Sequence, residues 1–396
     1  MDYTWLCTMK SARPFSTVYR GLSYHQALAV VILTIATFEV CLLTGGPIHP
    51  IGLSNLVGHL RDSVLFEAVA AKVQNGDNYY DATAYELSSQ GYPTKSVFNW
   101  RMPSYVILFR VLPTLFWRRA LLLVCTLIAL RLACSLASSE NGRFAGLAVG
   151  LVLTGDCAWQ AYPQPVYFME TWSGILILIS VCSIAMRRWR MGVAAGTLAL
   201  LLRELALPYC GIALLLAWKR REKQEFISWC VVICVYLVLF SIHYHNVQVR
   251  LPGGETTGNL GWLVFGGMRF VLETCSMAYF LMVLPHWCVA LYLPLSLLGL
   301  FGWRSRDFAL IKLTATAYIL LFLCIGIPVN YYWGWMYTPT LAFGTALSPF
   351  AVRDLIHVLI LQPKKQVDDD SSRARDRELS VSDRPVRDEA VADASE

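Results

Sequence analysis

The feature that most constrains this chain is a series of ten apolar runs separated by polar segments of very different lengths. Many of these runs approach the roughly 20 residues that an α-helix needs to cross a hydrocarbon core. Hydrophobic residues make up 56% of the 396 residues, and charged residues only 15%. The sequence therefore predicts an all-α polytopic membrane protein with about ten transmembrane helices. The runs cover residues 26–44, 106–137, 144–153, 172–186, 192–202, 205–218, 226–241, 279–300, 308–328 and 336–352.

The positively charged residues indicate which helix ends face the cytoplasm. Cytoplasmic loops of membrane proteins carry an excess of Lys and Arg, and an even number of crossings leaves both termini on one side. We predict an integral protein of the cell (inner) membrane with both termini cytoplasmic. The polar segments 45–103, 156–171 and 243–262 and the pair Arg203 and Glu204 then face the extracytoplasmic space. The basic clusters lie at residues 10–20, 187–190, 219–223 and 304–306 and in the C-terminal region.

One run allows two interpretations, because Arg118 and Arg119 interrupt the apolar residues between 104 and 138. This run is long enough for one tilted helix with an interfacial piece, or for two short helices. Parity favours one net crossing. In that case Arg110 and the Arg118/Arg119 pair are expected to extend their charged ends towards the interface.

The C-terminal part of the chain differs in composition from the rest. After residue 352 the chain becomes polar, and residues 366–396 form a mixed-charge run without apolar periodicity. Such segments bury too little apolar surface to fold alone. The sequence predicts a transmembrane domain over residues 1–362 and a disordered cytoplasmic tail over residues 363–396.

Several functional classes are disfavoured by the composition. The net charge of +6 is explained by loop arginines, and no basic aromatic platform is present, so we predict no nucleic-acid partner. Many of the twelve cysteines lie inside apolar runs, where sulfur behaves as a small hydrophobe. His243 and His245 have a spacing that suits metal binding, but a zinc site needs a third protein ligand. We predict no metal-ligating residues and no cofactor, and the sequence leaves a metal requirement open.

The loop at residues 76–103 combines carboxylates, aromatic rings and an arginine. Asp77 and Asp81 are candidate catalytic acids, since carboxylates can move protons. Tyr80 and Trp100 are candidate sugar-stacking residues, and the guanidinium fork of Arg101 can hold a phosphate.

Two surface helices are expected in the first outer loop. Apolar residues in 55–74 alternate with charged ones at amphipathic helical spacing, and residues 78–89 form a second such segment. Asp77 then stands at or near the N-cap of the second helix.

Three further charges fall inside or at the edge of apolar runs. Arg203 and Glu204 interrupt one run, where a charge costs about 2.5 to 3.5 kcal/mol. Adjacent residues on a helix point in different directions, so each is expected to have its own partner. Glu170 begins another run, where it either stabilises the helix end or acts in catalysis or on Arg203. We predict Glu170 as a catalytic residue and Arg203 and Glu204 as substrate-binding residues.

The pattern GDNYYDATAYELSSQGYP, followed by Arg-x-Pro and an apolar run, resembles the first outer loop of the GT-C glycosyltransferases. The resemblance covers the arrangement of spans from residue 26 to 352. Its specific motif similarity lies in residues 76–103, with weaker similarity at Glu170 and at Arg203/Glu204.

This resemblance implies transfer of a sugar from a polyprenyl phosphate carrier to a glycan, lipid or protein acceptor at the extracytoplasmic membrane face. The family's catalytic loop acid corresponds to Asp77, or to Asp81 if the register differs. The chain departs from the family by inserting residues 45–75 before this acid. Its expected partners are the lipid-linked sugar donor, the acceptor and membrane lipids.

A transporter or flippase for a lipid-linked saccharide is the main alternative function. Buried charges would line a path in such a protein, and no bond would be made. Transporters often contain two related halves with broken helices at matching positions, and this sequence shows no such repeat. A nonenzymatic scaffold is a third alternative, in which the buried charges would be purely structural.

Overall fold

The computed structural model describes residues 16–45, 53–251 and 264–382. Parts of the N-terminal basic cluster, of the two predicted outer loops and of the tail therefore lie outside the described residues. Within the described residues the chain forms α-helices and short 3₁₀ turns and no strand, which confirms the all-α class. The α-helices are α1 (Tyr24–Gly45), α2 (Leu53–Gln74), α3 (Tyr79–Ser89), α4 (Ser104–Val111), α5 (Leu115–Asn141), α6 (Arg143–Cys157), α7 (Met169–Ala185), α8 (Trp189–Leu202), α9 (Leu207–Lys219), α10 (Lys223–Val249), α11 (Gly267–Cys275), α12 (Tyr279–Met282), α13 (His286–Gly302), α14 (Ala309–Cys324) and α15 (Thr338–Ser382).

Six helical segments in the described part of the chain are long and apolar enough to cross a membrane, and three more are apolar but shorter. These lengths and compositions confirm a membrane protein. They do not reach the predicted count of ten crossings, which stays a prediction. The six segments are Tyr24–Gly45, Leu115–Asn141, Arg143–Ala161, Lys223–Val249, Arg306–Cys324 and Thr338–Ile360, and the shorter ones are Met169–Ala185, Trp189–Leu202 and Trp287–Gly302.

The run with two interpretations forms the eight-residue helix α4 and the 27-residue helix α5. Arg118 lies at the break between them and is buried. Its guanidinium donates hydrogen bonds to the carbonyls of Leu112 (2.8 Å) and Pro113 (3.2 Å), just after α4. The backbone carbonyls left free at the end of α4 thus bind its charge, and the extension of Arg118 towards the interface stays a prediction.

Helix α7 is the centre of the fold, because all 17 of its residues are buried. It packs against α5, α8, α14 and α15. A helix that is apolar around its whole circumference either faces lipid or is buried among other helices, and α7 is of the second kind. The polar residues in its first turn, Glu170 and Thr171, are therefore placed in the interior of the protein.

The first loop forms a small helical layer over the beginning of α7. Leu65 and Val69 of α2, Tyr79 of α3 and Tyr105 of α4 share one hydrophobic core. Trp172 of α7 belongs to the same core. This packing fixes the acidic and aromatic loop against the N-terminal end of α7. The placement of α2 and α3 on the extracytoplasmic membrane surface stays a prediction.

The last helix, α15, continues to Ser382 and is 45 residues long. Residues 363–382, which the sequence assigns to a disordered tail, are therefore helical in this structure. Residues 383–396 lie outside the described part of the chain.

Candidate functional site

Four charged side chains from three separate parts of the sequence meet at the beginning of α7. Nη1 of Arg101 donates a hydrogen bond to Oε1 of Glu170 at 2.9 Å. Nε of Arg203 lies 2.7 Å from the same oxygen. Nη1 of Arg203 also donates a hydrogen bond to Oε1 of Glu204. We call these four residues the ionic cluster; Glu170 and Arg203 have no exposed surface.

The backbone at Arg101 adopts a conformation that few residues adopt. Its φ is +54°, in the left-handed region, and a non-glycine residue held there costs about 1–3 kcal/mol. The Tyr79 hydroxyl donates hydrogen bonds to the carbonyls of Trp100 and Arg101. Tyr79 is itself fixed in the hydrophobic core of the first loop. These contacts hold the strained turn and direct the Arg101 side chain towards Glu170.

The helix α3 that carries Tyr79 begins after Asn78, not after Asp77. The Asn78 side chain accepts a hydrogen bond from the backbone N–H of Tyr80 at 2.9 Å, as an N-cap does. Asp77 lies one residue earlier and is exposed. Its carboxylate is therefore not used by the cap, and it makes no ion pair with any residue that the structure describes.

Arg203 and Glu204 lie in a break between two helices. Helix α8 ends at Leu202, Arg203 is extended (φ −148°, ψ 120°), and a 3₁₀ turn follows at Glu204–Ala206. The two side chains contact each other directly. The expectation that each has its own partner is therefore wrong for this pair, because it assumed a continuous helix. Arg203 additionally contacts Glu170, as the sequence analysis allowed.

The ionic cluster is balanced, with two arginines and two glutamates. Burial lowers the pKa of Arg101, but the carboxylates of Glu170 and Glu204 and the Tyr332 phenol together outweigh this effect, so the pKa is raised and the guanidinium stays charged. Two buried atoms, Oε2 of Glu170 and Nη2 of Arg203, make no hydrogen bond with the described residues. One acceptor and one donor therefore remain for a ligand or water.

A second polar group lies between the ionic cluster and the surface. Tyr80 Oη is 3.2 Å from Nδ1 of His243, and the Arg250 guanidinium lies over the Tyr80 ring at 5.2 Å. Nε of Arg250 also binds Oδ1 of Asp81 at 2.7 Å. The carboxylate of Glu204 interacts electrostatically with His243, which links this group to the ionic cluster.

The structure thus brings four of the eight predicted site residues together. The four that meet are Arg101, Glu170, Arg203 and Glu204.

The other four have different surroundings. Asp77 is exposed, and Asp81 is paired with Arg250. Tyr80 is partly buried. Trp100 is only 1% exposed, and its indole N–H donates to the Thr94 carbonyl at 2.8 Å. Its ring is therefore packed in the core of the first loop and presents no open face to a sugar in this conformation.

Residues near the site that are absent from the predicted set include Arg250 and Tyr332. Arg250 binds Asp81, and the Tyr332 phenol interacts electrostatically with Arg101. Arg250 carries one signal in the sequence: it is an arginine on the predicted extracytoplasmic side, against the usual bias. Tyr332 carries none, because it lies in an aromatic-rich stretch where many tyrosines look alike.

Comparison with known proteins gives no relative: no family model, no curated protein and no solved structure matches this chain. The function is therefore argued from the geometry of the site and from the sequence resemblance.

Proposed function

We propose that this protein is an integral membrane glycosyltransferase that moves a sugar from a polyprenyl phosphate carrier to an acceptor at the extracytoplasmic face. The observation that carries the proposal is the meeting of Arg101, Glu170 and the Arg203/Glu204 pair in one buried cluster. This cluster lies beside the loop whose motif resembles that of the GT-C enzymes. Buried ionisable groups within apolar helices are expensive and usually functional.

The lengths of the surrounding helices support access from the lipid. Helices α7, α8 and α9 have 17, 14 and 13 residues, fewer than the roughly 20 that span a hydrocarbon core. The ionic cluster lies at the ends of these short helices. In the predicted orientation the cluster therefore lies deeper in the membrane than the ends of the longer helices. At that depth it can meet the phosphate of a lipid carrier.

Phosphate binding requires a rearrangement, because the cluster is already neutral. Glu204 is the more accessible carboxylate, with 13% of its side chain exposed, whereas Glu170 is fully buried. The donor phosphate would replace Glu204 on Arg203 and use the free Nη2 as a second donor, a bidentate geometry that suits guanidinium. Glu170 would stay in place and position Arg203 and Arg101.

The transfer step then uses the exposed loop acid. The carboxylate of Asp77 accepts the proton of the acceptor hydroxyl, and the acceptor oxygen forms a bond to the anomeric carbon. The bond from that carbon to the phosphate oxygen breaks, and its electron pair leaves with the polyprenyl phosphate. Arg101 and Arg203 stabilise the negative charge that develops on this leaving group. Asp81 is the alternative base, after release from Arg250.

The proposal is tested by replacing the planar guanidinium of Arg203 with an ammonium group, which keeps the positive charge. In vesicles containing the purified protein and a panel of radiolabelled polyprenyl phosphate sugars, we expect Arg203→Lys to reduce transfer at least about tenfold. Arg269→Lys is the matched control, since Arg269 is exposed and its ion pair among the described residues is with Glu273 on its own helix.

The same assay separates the enzyme from the alternative transporter. A glycosyltransferase releases free polyprenyl phosphate and labels an acceptor, whereas a flippase moves the intact donor across the bilayer. Movement of intact donor without release of polyprenyl phosphate would contradict the proposal. Full transfer by Arg203→Lys would contradict the role of the Arg203 guanidinium in phosphate binding.

A further inference from the structure

A second polar pocket lies on the other side of α7 from the ionic cluster. It is formed where α6 ends, where α7 begins and where α15 begins. Glu170 and Thr171 are consecutive, and consecutive helical residues point about 100° apart. Glu170 therefore faces the ionic cluster while Thr171 faces this pocket. We call it the Asp156 pocket, and the residues that line it include Asp156, Trp159, Gln160, Thr171, Trp335 and Thr338.

The polar atoms of the Asp156 pocket are buried and unpaired. Asp156 is only 5% exposed, and neither of its carboxylate oxygens makes a hydrogen bond with the described residues. The same holds for the Thr171 hydroxyl and for the indole N–H of Trp159, whereas the Thr338 hydroxyl lies beside the Asp156 carboxylate. Native proteins rarely leave so many buried polar atoms unsatisfied at one place, so the pocket has the character of a ligand site.

The carboxylate of Asp156 also has no positive partner. No basic side chain in the described part of the chain forms an ion pair with it. An ionised carboxylate in an apolar interior needs a compensating charge, either a proton or a cation. The first turns of α7 and α15 contribute Thr171 and Thr338 to the pocket, and helix N-termini favour the ionised carboxylate. Asp156 itself lies in the last turn of α6, and a helix C-terminus favours a positive charge, so a cation can compensate the carboxylate here.

The size and the ligand set of the pocket define which cation fits. The volume open to the centre of a water-sized sphere is about 20 Å³, enough for one ion or one or two water molecules. The lining residues that carry side-chain oxygens are Asp156, Thr171, Thr338 and Gln160, and the Gln160 oxygen already accepts a hydrogen bond from Thr126. A single carboxylate balances one positive charge, and the described residues contain no group of three or more metal-binding side chains of the kind that holds a divalent ion.

We infer that the Asp156 pocket binds a small monovalent cation, an alkali metal ion or ammonium, through the Asp156 carboxylate and the Thr171 and Thr338 hydroxyls. This site is separate from the proposed phosphate site and does not depend on glycosyl transfer. The stacked rings of Trp159 and Trp335, with centroids 5.8 Å apart, form a rigid wall beside it. Bound cation would therefore fix α6, α7 and α15 relative to one another.

The test is direct binding to the full-length protein in detergent, with choline chloride keeping the ionic strength constant. We expect saturable binding of radioactive Na⁺, one ion per chain. Competition by K⁺, by Li⁺ and by ammonium distinguishes an alkali-metal site from an ammonium site. Asp156→Asn keeps the shape and removes the charge, so it should abolish binding. Asp307→Asn is the matched control, because Asp307 pairs with Arg187 at another surface.

Two further variants keep the inference testable if Asp156→Asn does not fold. Thr171→Val and Thr338→Val remove one hydroxyl each, and each should weaken binding by about tenfold. Absence of saturable binding of all four cations to the wild-type protein would overturn the inference. Binding that survives Asp156→Asn, or both valine substitutions, would overturn it equally. An increase in thermal stability of Asp156→Asn without any cation binding would show that the pocket holds a protonated acid.

Discussion

The two acids of the first loop differ in what their carboxylates contact. Asp81 is held by Arg250 at 2.7 Å, and a base that is already paired must lose that partner before it accepts a proton. Asp77 is exposed, precedes the Asn78 cap and makes no ion pair with the described residues. At the scale of single residues the structure therefore favours Asp77 as the base in the proposed reaction.

We predict that Asp77→Asn lowers the transfer rate by about 100-fold or more, the usual range for loss of a general base. The protein should still be expressed and monodisperse in detergent, because Asp77 is exposed. Asp81→Asn is the comparison and should have a smaller effect, through the freed Arg250. Normal transfer by Asp77→Asn with loss in Asp81→Asn would move the base to Asp81. Full activity of both variants would exclude either loop acid as the base.

Glu204 gives a second prediction at this scale, since it competes with phosphate for Arg203. Glu204→Gln leaves the ionic cluster with one net positive charge, so a short-chain polyprenyl phosphate should bind more tightly, by about tenfold. Binding is measured by calorimetry in detergent. Glu222→Gln, exposed at the start of α10, is the control and should leave affinity unchanged. Weaker binding by Glu204→Gln would show that Glu204 contributes to the site instead of occupying it.

At the scale of elements, α7 connects the two polar regions to the core. Its first turn directs Glu170 to the ionic cluster and Thr171 to the Asp156 pocket. One turn further along, Gly174 packs directly against the backbone of the 3₁₀ segment Pro328–Met336. That segment carries Tyr332, near Arg101, and Trp335, beside Asp156. The contact at Gly174 therefore fixes how closely Tyr332 and Trp335 approach the ionic cluster and the Asp156 pocket.

We predict that Gly174→Ala destabilises the protein by about 1–3 kcal/mol, the usual cost of overpacking. A Cβ at this position would lie 1.9 Å from the carbonyl oxygen of Trp335, so the backbone must move. Gly211→Ala in α9 is the matched control, because its Cβ would meet nothing within 4 Å and alanine favours helix. Thermal unfolding in detergent compares the two. Equal melting temperatures for Gly174→Ala and the wild type would contradict this view of the contact.

At the scale of the whole molecule, the sequence predicts classes of structure better than it predicts partners. The apolar runs predict the helices because each run must bury or shield its own backbone. The cost of a buried charge marks Arg203 and Glu170 as needing partners, but pairing depends on which helices become neighbours. Arg101 and Glu170 are 69 residues apart, and Asp81 and Arg250 are 169 apart. No local sequence pattern indicates which residues so far apart in the chain come into contact.

The predicted orientation remains open to a direct test. In a cysteine-depleted protein, Ser88→Cys in the first loop should react with an impermeant thiol reagent applied to intact cells, because positive charge is expected inside. Glu222→Cys, between α9 and α10, should react only after the cells are opened; both positions are exposed. The reverse pattern would place the ionic cluster on the cytoplasmic side and would contradict the proposed reaction there.

The short helices α8 and α9 have a consequence for the surrounding lipid. With 14 and 13 residues they are about 21 and 20 Å long, whereas a hydrocarbon core is about 30 Å thick. Both present apolar side chains outwards, such as Leu198 and Leu215. If α8 and α9 cross the membrane, as the sequence predicts, the lipid next to them thins to match, at a cost that rises with each ångström of mismatch. The acyl chain length of the lipid then affects this protein, because bilayers with shorter chains reduce the mismatch at the helices beside Arg203.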